Sequence, residues 1–430
     1  MLMSNNSIVD HNKIQRRLYV VNIDLIDNGI LESIPNISII NFSIEYNYRD
    51  NFFPIIKLDL TINNYLYNLI LNNKNTIKFR IKLFSYRKEQ KQDGTDLEID
   101  KKLIINDIFQ PIIPILDSEN NKKELNTEKD DDSPSRALDV YLFNLNAFNI
   151  NKNIINFIAQ DCKIKDVVGY ILKSFNIKNV LMSSPQNNTK YEQVIVPPLN
   201  LKNSIQYIAD TYGIYTNGIK QFYDFDYLYI LRNDFTEIPT TASEYSNVYI
   251  NVTKLMNDNE SLNIGSYKDN ENNCYVINTN NVIEITKNGI NNKELNGNKL
   301  RIYDRNTLEN SLIFDTNSKK FKINKSYNET NINYDSYNGN DKITYLFNNS
   351  ENNTLINNYE KLNQYSNIEF SMYFLTLDLE IFKPNRRYIF NFEELEFAKK
   401  YNGVYMLEYL VTAMDQTNGE IQASAKFKKI

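Results

Sequence analysis

Apolar and polar residues alternate through Ser38-Ile39-Ile40-Asn41-Phe42-Ser43-Ile44-Glu45-Tyr46, through Ile56-Lys57-Leu58-Asp59-Leu60-Thr61-Ile62, and through Ile77-Lys78-Phe79-Arg80-Ile81-Lys82-Leu83. A period of two over such lengths predicts half-buried antiparallel strands. Strands also fit Leu18 to Leu25, Leu103 to Leu116 and Val140 to Asn149, so the first third reads as an all-β sandwich or barrel. Tyr65 to Leu71, between two of these strands, fits a short helix.

From about residue 151 the period lengthens. Ile164, Val167, Val168, Ile171, Leu172 and Phe175 fall on one face of an amphipathic helix, and Leu201, Ile205, Ile208, Ala209 and Tyr212 repeat the spacing. Asn200 stands ready as N-cap of the second helix and Gly213 follows its end. The two helices flank Val194-Ile195-Val196-Pro197-Pro198, and Gly213 to Leu231 reads as a β-hairpin. These features predict a compact α/β unit set between β neighbours.

Strand patterns return at Val248 to Val252, Asn273 to Asn278, Val282 to Thr286 and Lys299 to Tyr303. Alternation is strong again from Ile368 to Leu375 and continues from Leu377 to Ile381, and Arg387 to Phe392, Gly403 to Asp415 and Gly419 to Phe427 close the chain as three more strands. Two stretches break the pattern. Asp117 to Arg136 is nearly devoid of apolar residues and carries Asp130-Asp131-Asp132, so burial cannot offset its ordering entropy and a mobile loop is expected. The region from about 288 to 365, rich in Asn, Ser, Asp and Lys, reads as a loop-rich insertion.

Composition changes this picture little. The chain of 430 residues is long enough for two or three structural units. Its richness in Asn, Ile, Lys and Tyr fits an AT-rich genome, so the many asparagines are not read as disorder. A net charge of −5, with Lys and Arg scattered among acids, argues against a protein that grips nucleic acid through phosphates. Met1 to Gln15 is polar and lacks the basic and apolar regions of a secretory signal, and no stretch has the apolar length of a membrane span. Synthesis and assembly in the cytosol are expected.

Candidate chemistry is sparse. The one histidine, His11, lies in the polar N-terminal stretch, which disfavours Ser-His-Asp, Cys-His and multi-His zinc mechanisms. Cys162 and Cys274 are far apart, with no second Cys or His near either, so free thiols are expected, with a pairing left open. The acidic run at 130–132 lacks the glycine and distal glutamate of a calcium loop and reads as solvated acid. No phosphate-cradling glycine motif is present. Paired carboxylates remain the one catalytic arrangement open to the chain, because glycoside hydrolysis needs only two acids at a set distance. The candidates are Asp224 and Asp226 on the hairpin, and Glu393, Glu394 and Glu396. A solvent-facing or turn position is the preferred reading for the aspartates, and a charged linker for the glutamates. No catalytic, cofactor-binding or metal-ligating residue is therefore assigned, no cofactor is expected, and the chain is read as no enzyme.

The stretch from Val140 to Leu231 resembles the central region of phage hub proteins, the late control D proteins and the hub of T-even phages among them. The resemblance runs through Asp166-Val167-Val168-Gly169-Tyr170-Ile171-Leu172, through Val196-Pro197-Pro198-Leu199, and through Ile205-Gln206-Tyr207-Ile208-Ala209-Asp210-Thr211-Tyr212-Gly213-Ile214-Tyr215. It continues in the hairpin, from Asn217-Gly218 through Phe222-Tyr223-Asp224-Phe225-Asp226-Tyr227-Leu228-Tyr229-Ile230-Leu231. Lys383-Pro384-Asn385-Arg386-Arg387-Tyr388, Tyr401-Asn402-Gly403-Val404-Tyr405-Met406-Leu407 and Thr417-Asn418-Gly419-Glu420 are similar to the strand pairs that close such proteins.

The resemblance implies a mainly β fold in which two tail-tube-like antiparallel β-barrel or sandwich domains flank a small α+β domain. The expected division is a flexible tail at 1–15, a first β domain at 16–150 with its acidic loop at 117–136, an α/β insertion at 151–235, and a second β domain at 236–430 with its insertion at 288–365. It further implies a structural baseplate hub in the virion of a bacteriophage: a homotrimeric ring joining the tail tube to the central spike, beside wedge proteins. DNA would cross its lumen without specific binding, and the acidic balance suits that passage. A tail-associated peptidoglycan hydrolase and a peripheral receptor-binding tail protein are the alternatives.

Overall fold

The computed structural model describes residues 17–27, 29–49, 51–73, 75–90, 96–112, 135–215, 218–225, 227–233, 237–241, 244–253, 265–279, 283–286, 300–304, 311–315, 320–324, 343–346, 369–374 and 376–430. The acidic run at 130–132, His11 and Asp226 lie outside them, as does most of 288–365.

The period-two runs become strands because alternate side chains enter one core. The first region holds β1 (Leu18–Asp27), β2 (Ile30–Ile34), β3 (Ile39–Asn47), β4 (Ile55–Asn63), β5 (Lys78–Gln90), β6 (Asp96–Ile112) and β7 (Ser135–Asn144). In β4, Ile56, Leu58, Leu60 and Ile62 are buried while Lys57, Asp59 and Thr61 face outward. Helix α1 (Asn64–Asn72) follows β4, and α2 (Leu145–Lys152) follows β7. Each starts where an asparagine side chain caps it. The Asn63 side chain accepts from Leu66 N–H, and that of Asn144 accepts from Ala147 N–H, at 2.8 and 3.0 Å. The second cap corrects the expected strand to Asn149, which ends at Asn144 and turns into α2.

The central unit holds β8 (Ile155–Lys163), α3 (Ile164–Ser174), β9 (Val180–Met182), β10 (Lys190–Leu199), α4 (Leu201–Thr211), β11 (Ile219–Tyr223) and β12 (Leu228–Arg232). Asn200 caps α4 as expected, and Gly213, at φ +78°, ends it in the left-handed region. Strands β8 and β10 pair antiparallel with a register shift between Val196 and Leu199, where Pro197 and Pro198 have no N–H to give.

The last region holds β13 (Asn247–Val252), β14 (Gly265–Asp269), β15 (Cys274–Thr279) and β16 (Ile283–Thr286). Next come β17 (Leu300–Asp304), β18 (Ser311–Asp315), β19 (Lys320–Asn324) and β20 (Ile343–Leu346), a separate four-stranded sheet within the stretch expected to be loop-rich. The region closes with β21 (Glu369–Phe374), β22 (Arg387–Phe392), helix α5 (Leu395–Tyr401), β23 (Gly403–Met414) and β24 (Ile421–Lys429). The strand expected over Leu377 to Ile381 is absent. Asp378 folds the segment into a turn, accepting from Glu380 N–H on its side chain and from Ile381 N–H on its carbonyl, both at 3.0 Å. The alternation there comes from Leu377, Leu379 and Ile381 all reaching the core from a non-extended backbone.

The first and last regions share one 15-stranded sheet. Its path runs β14-β15-β13-β22-β23-β3-β4-β7-β6-β5-β1-β2, with β24 beside β23, β21 beside β24 and β16 beside β21. The join is the antiparallel pairing of β23 with β3, Tyr409 opposite Asn47 through Met414 opposite Phe42. One hydrophobic cluster fills it from both sides, holding Phe42, Ile44, Leu58 and Ile81 together with Phe370, Phe390, Tyr405 and Phe427. The central unit has its own cluster, in which Ile164, Val168 and Ile171 of α3 meet Leu201, Ile205 and Ile208 of α4 over Val194 and Val196. The expectation of a mainly β chain with an inserted α/β unit is thus borne out.

Candidate functional site

The hairpin β11–β12 is the wall shared by the two cores, with Phe222 in one and Leu228 and Ile230 in the other. Lys220, Gln221 and Phe222 are consecutive and all buried, as are Leu228 to Leu231, so both hairpin faces are covered. Phe222 packs edge-on against Tyr48 with centroids 4.6 Å apart, and Phe225 against Phe109 at 5.9 Å. The intervening turn is tied by Asp224, whose N–H donates to Tyr227 O and whose carboxylate accepts from Phe225 N–H, both at 2.8 Å.

The remaining carboxylate oxygen of Asp224 accepts from Lys383 Nζ at 3.1 Å. Burial alone would pull the Lys383 ammonium down, but the adjacent Asp224 charge outweighs it and holds the lysine well above its ordinary value. Lys383 opens the segment Lys383 to Tyr388, and each polar member of it from Lys383 to Arg386 clamps a different piece of chain. Asn385 donates to Pro239 O at 2.9 Å. Arg386, fully buried, donates to Ile381 O at 2.8 Å, pairs with Glu244 at 3.4 Å, and lies over the Tyr275 ring at 4.4 Å. The Tyr388 hydroxyl closes the segment onto Lys383 O at 2.9 Å.

A second ionic cluster adjoins the first across a cavity of about 440 Å³. Arg17, just before β1, meets Asp100 at 2.9 Å, Glu380 at 3.3 Å and Asp378 at 3.4 Å, and Lys102 meets Glu380 at 3.5 Å. Burial, with the nearby Glu380 charge, raises the Asp378 carboxyl against the opposing pull of Arg17. Lys220 completes the junction, its Nζ donating at 2.6 Å to Leu407 O, where β23 carries a bulge against β24. Burial pulls this lysine down to about 8.

The arrangement holds distant pieces of chain together. Asp224, expected at a solvent-facing or turn position, does lie in the turn, but it is buried and its partner is a lysine where a hydrolase needs a second acid. Glu393, Glu394 and Glu396 are all exposed where β22 passes into α5. No cluster of three or more metal-ligating side chains occurs among the described residues. Cys162, half-buried on β8, and Cys274, buried on β15, are both free. Two sequence segments that resembled phage hubs separately, the hairpin and Lys383 to Tyr388, meet in the Asp224–Lys383 pair. Nothing in the sequence marked Arg17 or Lys220 as buried, since a lone cation reads as exposed.

Residues 9–428 match the family model described as Bacteriophage PBS1 gene 109 protein. The chain belongs to that family. The expectation of a bacteriophage protein is borne out by this match. Among solved structures, the chain is similar to the tail protein from Neisseria meningitidis MC58, at 9% identity over 95% of this chain and 96% of that one, with a TM-score of 0.48. It is also similar to the 43 kDa tail protein of prophage MuSo2 from Shewanella oneidensis, at 8% identity over 95% and 98%, with a TM-score of 0.46. A chain of the phage P2 baseplate in its activated conformation matches at 9% identity over 95% and 98%, with a TM-score of 0.34. No curated protein matches the chain.

Proposed function

We propose that this chain is a structural protein of a bacteriophage tail baseplate and serves there as the hub, a homotrimeric ring with the tail tube on one side and the central spike on the other. Membership of a bacteriophage family supports the phage setting. The observation that carries the ring is the sheet. A single strand path crosses both β regions through β3 and β23, and among the described residues its end strands, β2 and β14, and the branch end β16 are each paired on one side only. Open edges on a long sheet invite pairing with another chain, and cyclic symmetry lets one chain cover such edges with copies of itself.

In this reading the chain divides into β domains at 16–150 and 236–430, with the α/β unit at 151–235 between them. Three subunits present six β domains to a sixfold tube. The Asp224–Lys383 pair fixes the central unit against the second β domain, the packing of Phe222 on Tyr48 fixes it against the first, and the chain performs no reaction. Wedge proteins surround the ring, and DNA crosses it without specific contacts.

Co-expression with the tube and spike proteins of the same phage tests the proposal. Recovery of this chain in one complex with both is the expected result. Binding to neither, by a chain that is folded, would reject it.

A further inference from the structure

The central unit has its own core, and a unit of that kind joined by two crossings of the chain ordinarily moves relative to its neighbour. Here two aromatic plugs cross the boundary in opposite directions. Phe52, from the loop between β3 and β4, belongs to the cluster of the central unit with Ile164, Leu201 and Ile230. Phe222, from β11 of the central unit, belongs to the cluster of the sheet with Phe42, Ile44 and Phe390. The plugs are fastened to each other, since the Tyr223 N–H donates to Phe52 O at 2.8 Å and the Tyr223 ring meets that of Phe53 edge-on at 6.0 Å. Three further ties cross the same boundary: Lys220 to Leu407 O at 2.6 Å, Asp224 to Lys383 at 3.1 Å, and a small cluster of Tyr229 and Leu231 with Met406.

From this reciprocal fastening we infer that the central unit and the 15-stranded sheet are one cooperative body, a fixed bracket that neither swings nor opens while the sheet stays folded. Separating the two strips a phenylalanine from each core and breaks a buried ion pair, so no opening of the unit is cheaper than opening the whole. The inference concerns this chain alone and stands whether or not the chain is a hub. Within a ring it means that a force applied to the central unit passes directly into the sheet.

Hydrogen exchange of the full chain, followed by mass spectrometry, tests it with Ile208→Val in the core of the central unit and Ile44→Val in β3. Each removes one buried methylene, a change mild enough to leave the chain folded, and lowers stability enough to speed exchange through global opening roughly fivefold. One cooperative body requires that either substitution speed the slowest-exchanging amides of α3, α4, β3 and β23 by the same factor. Acceleration confined to the region that carries the substitution would overturn the inference.

Discussion

Replacing Lys220 by methionine measures how strongly the junction holds a charge away from water. Burial brings the Lys220 ammonium from 10.5 to about 8, with the Glu408 charge opposing the shift and Lys428 adding to it. A base whose folded value lies below its unfolded value binds fewer protons when folded, so stability rises with pH through the window from about 8 to 10.5 and is flat below it. The gap is 10.5 − 8, which at about 1.4 kcal/mol per unit amounts to about 3 kcal/mol. Between about pH 7 and pH 9.5, roughly 2 kcal/mol of this is relieved. The buried tyrosines titrate alike in both proteins, so the difference between wild type and Lys220→Met isolates the lysine. Urea unfolding followed by far-ultraviolet circular dichroism at the two pH values reads that difference. It should move by about 2 kcal/mol in favour of wild type at the higher pH. A difference that stays constant would refute the reasoning, because it would mean that Lys220 reaches water as readily folded as unfolded.

Asp224→Asn should destabilise the chain by about 3 kcal/mol in urea unfolding, since it leaves the Lys383 charge without its buried partner. The double variant Asp224→Asn, Lys383→Met should recover part of that loss. Gly419→Ala should lower stability by more than about 1 kcal/mol in thermal melts, because Gly419 holds φ +74° and a Cβ there would stand 2.9 Å from Tyr19 O. Arg386→Lys should cost about 1–3 kcal/mol in the same melts, as one ammonium cannot serve Ile381 O and Glu244 while lying flat on Tyr275.

The strands of the first region were legible in the sequence because one face is buried and the other wet, as in β4, where alternation and exposure coincide. The helices α3 and α4 were legible for the same reason at the helical period. Pairing was not legible. Ile44 and Thr412 meet across a separation of 368 residues, and nothing local in either strand names the other. Leu377 to Ile381 misled because alternation reports which side chains are buried, and a turn built on Asp378 buries the same residues as a strand would. At the junction, Asp224 was visible as an acid but its partner lay 159 residues away. That Arg17, Lys220 and Arg386 are buried was not legible, since a long charged side chain is buried only when distant chain supplies its partners.

The central claim is that copies of this chain close into a ring, and the mass of the purified chain in solution, by light scattering behind a sizing column, tests it most directly. The account predicts one species of about 150 kDa, three times the 50.6 kDa of the chain. A single species of 50.6 kDa, both alone and with the spike protein present, would contradict it.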